Sequence, residues 1–228
     1  MKLRHIIIAA AAVLASAACS KMNDNIDQYL SQGEIIYIAR PDSVHLFAGK
    51  ERFKVDFWIS DPRATEMRIY WAQKSDSLVV PIPEGWDFNE AISVIADRGI
   101  TEGQYSLDLV TRDKFGNISI GDEENVTVYG DIYQNSLNSR LVESQTAASG
   151  KLTINWGNCY SDDEIGIRVS YTDLNGTAKA VTYETETLGT SSVINNVDTA
   201  QEVSYTTMYL PEPTAIDTFF TPKKIIAF

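Results

Sequence analysis

The chain predicts an all-β fold: two β-sandwich domains in tandem behind a short leader. From residue 34 onward, segments rich in β-branched and aromatic residues alternate with period two and are separated by Gly, Pro, Asp and Asn. About seven such segments fall in each hundred residues, which is the strand count of a sandwich. The halves also echo one another: KVDFW at 54–58 precedes RIYW at 68–71, as KLTINW at 151–156 precedes IRVSY at 167–171. A period near a hundred residues suits tandem domains better than a solenoid.

Residues 1–18 have the three-part layout of a secretory signal: basic Lys2 and Arg4, an apolar run from Ile6 to Leu14, then Ala15-Ser16-Ala17-Ala18. The run is short of the ~20 apolar residues that a spanning helix needs. Cys19 follows directly and resembles the lipid-bearing cysteine of a lipobox, although Ser16 stands where the commonest box has Leu. The alternative is an ordinary signal with a chance Cys near the cut. Residues 19–32 read as the lipidated Cys and a polar tether. Lys21, followed after two residues by Asp24, half-matches a surface-export signal.

The first domain is expected over 33–130. Glu34–Ala39 reads as a strand stopped by Pro41. Arg52–Ser60 puts Phe53, Val55, Phe57 and Ile59 on one face and Lys54, Asp56 and Trp58 on the other. Glu66–Ala72, Leu78–Ile82, Gln104–Arg112 and Asn125–Tyr129 follow as strands, with a turn at 113–117. Tyr105, near the start of a late strand, fits either a tyrosine corner that bonds back to the preceding loop or a plain face-filling residue. Trp86–Asp97 is ambiguous: Phe88, Ala91, Ile92, Ile95 and Ala96 keep helical spacing, while Ile-Ser-Val-Ile and the context favour a strand.

The second domain is expected over 131–228. Residues 130–148 read as a connection and a first strand, followed by Lys151–Trp156 and Glu164–Tyr171. Asn175-Gly176 suggests a two-residue type I′ hairpin. Ala178–Thr185, Ser191–Asn196, Glu202–Leu210 and Ile216–Phe228 complete the set.

Composition narrows the function. Cutting after residue 18 leaves 210 residues, and the net charge moves from −12 to −14 because Lys2 and Arg4 leave. Such an acidic chain disfavours nucleic acid as a partner, since phosphates need cations. With Cys19 as anchor, Cys159 has no disulfide partner. Of two His only His45 follows the leader, so two-His metal motifs are excluded, and no Walker A, G-x-S-x-G or G-x-G-x-x-G occurs. No cofactor, catalytic residue or metal ligand is expected. Asp122-Glu123-Glu124 and Asp162-Asp163-Glu164 offer oxygen ligands but lack the spacing of a calcium loop. Nothing marks the carboxylate pair of a glycosidase.

Aromatics are the remaining candidates, because sugar rings present apolar C–H faces. Trp71 and Trp156 fall on apolar faces and read as core. Trp58 shares a face with Lys54 and Asp56; Trp86 follows Pro-Glu-Gly in a loop; Tyr160 lies in the loop 157–163. Each is either a ligand platform or packing against its own fold.

The signal with Cys19, EGQYSLDLVTRDKFGNIS at 102–119 and PEPTAIDTFFTP at 211–222 resemble an uncharacterised family of Bacteroidetes lipoproteins with paired immunoglobulin- or fibronectin-III-like domains. The resemblance covers most of residues 30–228. It implies a lipid-anchored outer-membrane protein, on the cell surface or alternatively on the periplasmic face, of a family often close to polysaccharide-use machinery, with a glycan or an envelope protein as partner. Its motifs are turns and strand ends, so it supplies no catalytic residue.

Overall fold

The computed structural model describes residues 36–159 and 161–228. Strands β1 (Ser43–Ala48), β2 (Phe53–Trp58) and β5 (Ile92–Ala96) form one antiparallel sheet, ordered β1-β2-β5. It faces a second sheet, ordered β4-β3-β6-β7, built from β3 (Ala64–Trp71), β4 (Asp76–Pro81), β6 (Gly103–Asp113) and β7 (Asp122–Val128). The alternation of β2 buries Phe53, Val55 and Phe57 completely, and Met67, Ile69, Leu107 and Leu109 meet them from the other sheet. Trp71 lies edge-on to Phe53, with centroids 5.9 Å apart.

The second unit repeats this order. β8 (Val142–Ala148), β9 (Lys151–Trp156) and β12 (Ser191–Asn195) form the sheet β12-β9-β8. β10 (Glu164–Thr172), β11 (Ala178–Glu184), β13 (Val203–Tyr209), β14 (Phe219–Phe220) and β15 (Lys224–Ile226) form the other, with β14 and β15 both paired to β13. Leu152, Ile154, Ile167, Val169 and Val203 make its separate core, where Trp156 lies edge-on to Tyr205 and donates to Ser192 Oγ at 3.0 Å. Each three-strand sheet against a sheet of four strand positions is the arrangement of a fibronectin type III domain. The fold is therefore all-β, two tandem immunoglobulin/fibronectin-III-like sandwiches. Even local detail recurs: β3 and β10 each open on a register shift, at Ala64/Glu66 and Glu164/Gly166.

Four expectations are corrected. Within the described part of Glu34–Ala39 there is no strand. The hydrogen bonds of this segment run to loops and side chains, with Ala39 N–H to Asp61 Oδ2 and Thr111 Oγ1 to the Ala39 carbonyl. The first strand is Ser43–Ala48 instead, because Val44 and Leu46 reach the core beyond Pro41. Of Trp86–Asp97 only Ile92–Ala96 is a strand. Asn175-Gly176 is not a type I′ pair: Gly176 alone has positive φ, at 79°, and Asp173 N–H reaches the Thr177 carbonyl, giving a three-residue loop whose amides at 175 and 177 bond the Asp173 carboxylate. Finally, Ile216–Phe228 is two short strands, because Pro222 cannot donate to a ladder. The connection at 130–148 also holds a short helix, α1 (Asp131–Ser136), and a one-turn helix α2 (Thr185–Leu188) follows β11.

Tyr105 makes the corner: its hydroxyl donates to the Thr101 carbonyl and accepts from the Thr101 N–H, both at 3.0 Å.

One seam joins the two units. Arg52, just before β2, grips Asp217 through Nε–Oδ2 at 2.9 Å and Nη2–Oδ1 at 2.6 Å, and the Lys50 N–H adds a third bond at 2.8 Å. Ile216 N–H bonds the Ala48 carbonyl. Tyr129, Tyr133 and Phe219 stack edge to face, with centroids 4.9–6.3 Å apart. Glu102 accepts the first amides of α1, from Ile132 and Tyr133. Gly49 permits the approach, since a Cβ there would lie 2.8 Å from Asp217 Oδ2.

Candidate functional site: a cleft at the free pole of the first sandwich

The seam occupies one end of the first sandwich, around the β1–β2 turn, the loop before β6 and the end of β7. The opposite end carries the other loops: β2–β3, β4–β5 and β6–β7. Between them, with Ile36 from the entering chain, lies a cleft of about 840 Å³. Its size suits a small ligand.

Trp86 stands on its wall. Gly85, at φ 74°, turns the chain after Pro83-Glu84, and Trp86 N–H returns to the Pro83 carbonyl. The indole N–H donates to the Glu90 carbonyl at 3.2 Å. The half-buried ring packs on the core and lines the cleft, so Trp86 is at once a lid and a wall. Ile36 at 50% exposure, Phe88 at 46% and Phe115 at 79% add apolar rim.

The polar floor is built from pairs whose carboxylates are already occupied. Asp61 receives both arms of Arg63, at 2.9 and 2.7 Å, together with the Ala39 and Arg63 N–H groups. The Arg63 guanidinium chiefly holds the Asp61 carboxyl well below its ordinary range, against the opposing effect of burial. Burial would raise Asp113. Hydrogen bonds from the Asn117 side chain and N–H, and from the Phe115 and Gly116 amides, outweigh it and hold the carboxyl low. Both acids remain ionised at neutral pH, with four hydrogen bonds on Asp61 and three on Asp113; Arg63 and Lys114 are the cations of the lining.

The other predicted residues lie elsewhere. Trp58 is half-buried on the outer face of the β1-β2-β5 sheet, 5.1 Å edge-on from His45, and does not line the cleft. Cys19 and Tyr160 lie outside the described residues. The acidic runs are drawn apart by partners: Asp122 to Arg40, Glu164 to Arg140, and Asp163 to the Tyr133 hydroxyl. Among the described residues no group of three His, Cys, Asp or Glu could hold a metal. Cys159 donates to the Ser161 carbonyl, and burial pushes its thiol up, away from the reactive thiolate. Sequence reasoning missed Phe115, Phe88 and Arg63. A Phe between Lys and Gly in a turn was the available signal, since a turn tip gives a ring nothing to pack against.

A model of DUF4998, a domain of unknown function, matches residues 19–219. The chain belongs to this family. No curated protein matches it. Among solved structures, this DUF4998 protein is similar to the FN1–FN3 domains of chicken CNTN1, at 11% identity and TM-score 0.42 over 82% of this chain. It spans 64% of the length of that segment. It is also similar to a two-domain fibronectin type III segment of chicken tenascin, at 13% identity and TM-score 0.32, over 83% of this chain and 100% of that one. The assignment of fold rests on the strand order above.

Proposed function

We propose that this DUF4998 protein is a non-catalytic, lipid-anchored envelope module of the outer membrane, and that the cleft beside Trp86 takes a glycan. The observation that carries the reading is one aromatic wall beside polar groups in a single cleft. A sugar needs an apolar surface for its C–H face and donors for its hydroxyls. Support for a binding role comes from Asp61 and Asp113: four hydrogen bonds saturate the first and three hold the second, and both carboxyls are held low, which makes each a weak general base. The anchor reading is supported by the layout of residues 1–19 and by a family match that starts at Cys19.

The test is a glycan-array screen with purified protein, its Trp86→Ala variant, and Trp58→Ala as a control on the outer sheet face, outside the cleft lining. Trp86→Ala is expected to lower affinity about tenfold or more, the scale of one lost aromatic stack. Trp58→Ala should bind as the parent does. Absence of any glycan signal, or equal loss in both variants, removes the glycan reading. A second reading, a protein-interaction module, is favoured by the apolar rim of Ile36, Phe88 and Phe115. Under that reading Phe115→Asp abolishes capture of an envelope protein while the array stays silent.

A further inference from the structure

We propose that the glycan taken by the cleft is the saccharide headgroup of a membrane lipid, with the rim of Ile36, Phe88 and Phe115 lying against the lipid surface. This rests on the anchored glycan-binding reading above and specifies its ligand.

Placement is the first argument. Ile36 both lines the cleft and is where the chain enters the fold, so the cleft lies at the anchor's end of the molecule. Sixteen residues separate Cys19 from Ile36. Strand β6 runs from Gly103 at the seam to Asp113 at the cleft, and its eleven residues set the two poles roughly 34 Å apart. The second sandwich occupies the far pole through Arg52–Asp217 and the Tyr129–Tyr133–Phe219 stack. An anchor at Cys19 would thus join the fold at its cleft pole, with the second sandwich at the opposite pole.

The rim gives the second argument. Phe115 is 79% exposed at a turn tip, and Phe88 and Ile36 stand at the same mouth. Bulky apolar groups around one opening are costly in water and productive at a lipid interface. Charge is the third. Asp61 takes four hydrogen bonds and Asp113 three, Arg63 is paired to Asp61, and the acid Glu84 stands at the same mouth. Asp87 is partly taken by the Asn89 amide and side chain. Arg63 and Lys114 do not outnumber the acids Asp61, Asp113 and Glu84 of the lining, so the cleft suits the uncharged sugar hydroxyls of a headgroup rather than its phosphates.

The test uses the exported chain carrying Cys19→Ala, which removes the acyl anchor, in flotation with phosphatidylethanolamine/phosphatidylglycerol vesicles. Vesicles with a lipooligosaccharide are compared with vesicles without it, and with the deacylated saccharide free in solution. Binding to the glycolipid vesicles is expected to be about tenfold tighter than to either comparator, and Trp86→Ala and Phe115→Asp should each remove about that factor. Phe115 is exposed enough for the Asp variant to fold, which circular dichroism checks. Equal binding of the free saccharide overturns the headgroup assignment and leaves the glycan reading standing. Equal binding to both vesicles, indifferent to Trp86, overturns the headgroup assignment and the glycan reading together, leaving a bare lipid surface. No binding to any of the three overturns both.

Discussion

Replacing Asp217 with Ala should convert a stiff pair of domains into a hinged one. The carboxylate receives three hydrogen bonds across the seam, two from Arg52 and one from the Lys50 amide. Bonds to charged groups contribute ~1.5–3 kcal/mol when shielded, and exposed ion pairs under ~1 kcal/mol. The Arg52 side chain is 39% exposed and that of Asp217 20%, so the pair sits between those limits. A loss of about 2 kcal/mol for Asp217→Ala follows, with about 1 kcal/mol of it shared with Arg52 in a double-mutant cycle. Because Asp217 belongs to neither core and the aromatic stack remains, both cores should stay folded. Calorimetry should then resolve two transitions where the parent shows one, and small-angle scattering should show a broader range of end-to-end distances. If Asp217→Ala and Arg52→Ala prove additive and the scattering curve is unchanged, the seam does not set the domain angle and this reasoning fails.

Three further outcomes follow from the same geometry. Tyr105→Phe removes the corner hydroxyl while keeping the ring, and should cost about 1 kcal/mol in urea unfolding; an unchanged midpoint would mean that water replaces the Thr101 bonds without penalty. Arg140→Met should cost about 3–5 kcal/mol because it strands Glu164, whose side chain is 3% exposed, and Arg140→Met with Glu164→Leu should recover much of that loss. The Arg52 guanidinium chiefly holds Asp217 below the usual carboxylate range. A depressed folded-state value gives stability that is complete above the unfolded value near ~3.9 and lost as pH falls through the folded one. Scattering should therefore show a closed seam at pH 5, opening only below about pH 4; opening at pH 5 contradicts the assignment.

Much of the fold was legible because two-residue alternation is a local signal. The face of β2 is set by Phe53, Val55 and Phe57 without reference to anything distant, and Lys151–Trp156 matches its strand at both ends. Legibility failed where a segment's hydrogen bonds are settled by tertiary partners. Residues 36–39 look like a strand, but Asp61 and Thr111 take their polar groups. Asn-Gly looks like a type I′ turn, yet the Asp173 carboxylate stabilises a longer loop. The cleft was half legible. Trp86 stood out because a loop Trp is unusual. Phe88 read only as part of an apolar period, and the burial of Asp61 depends on Arg63 and Ala39 meeting over it.

The two longest sequence motifs reach the two poles: residues 102–119 run along β6 from one to the other, and residues 211–222 lie at the seam. Residues 102–119 begin with Glu102 capping α1 at the seam, pass Tyr105 at its corner, and end in the turn that carries Phe115 and Lys114 to the cleft. Residues 211–222 hold Glu212, Asp217 and Phe219, all of which reach across the seam. A sandwich core tolerates many apolar sequences of the right volume, whereas a bidentate Arg–Asp grip or a turn that aims a Phe outward needs particular residues. The chemistry of the chain is thus concentrated where one domain meets the next and where the free pole meets its surroundings. Fixing the seam fixes how the second sandwich stands relative to the cleft, so the two poles act together: a hinge at Asp217 would leave the cleft intact and yet loosen the second sandwich from it.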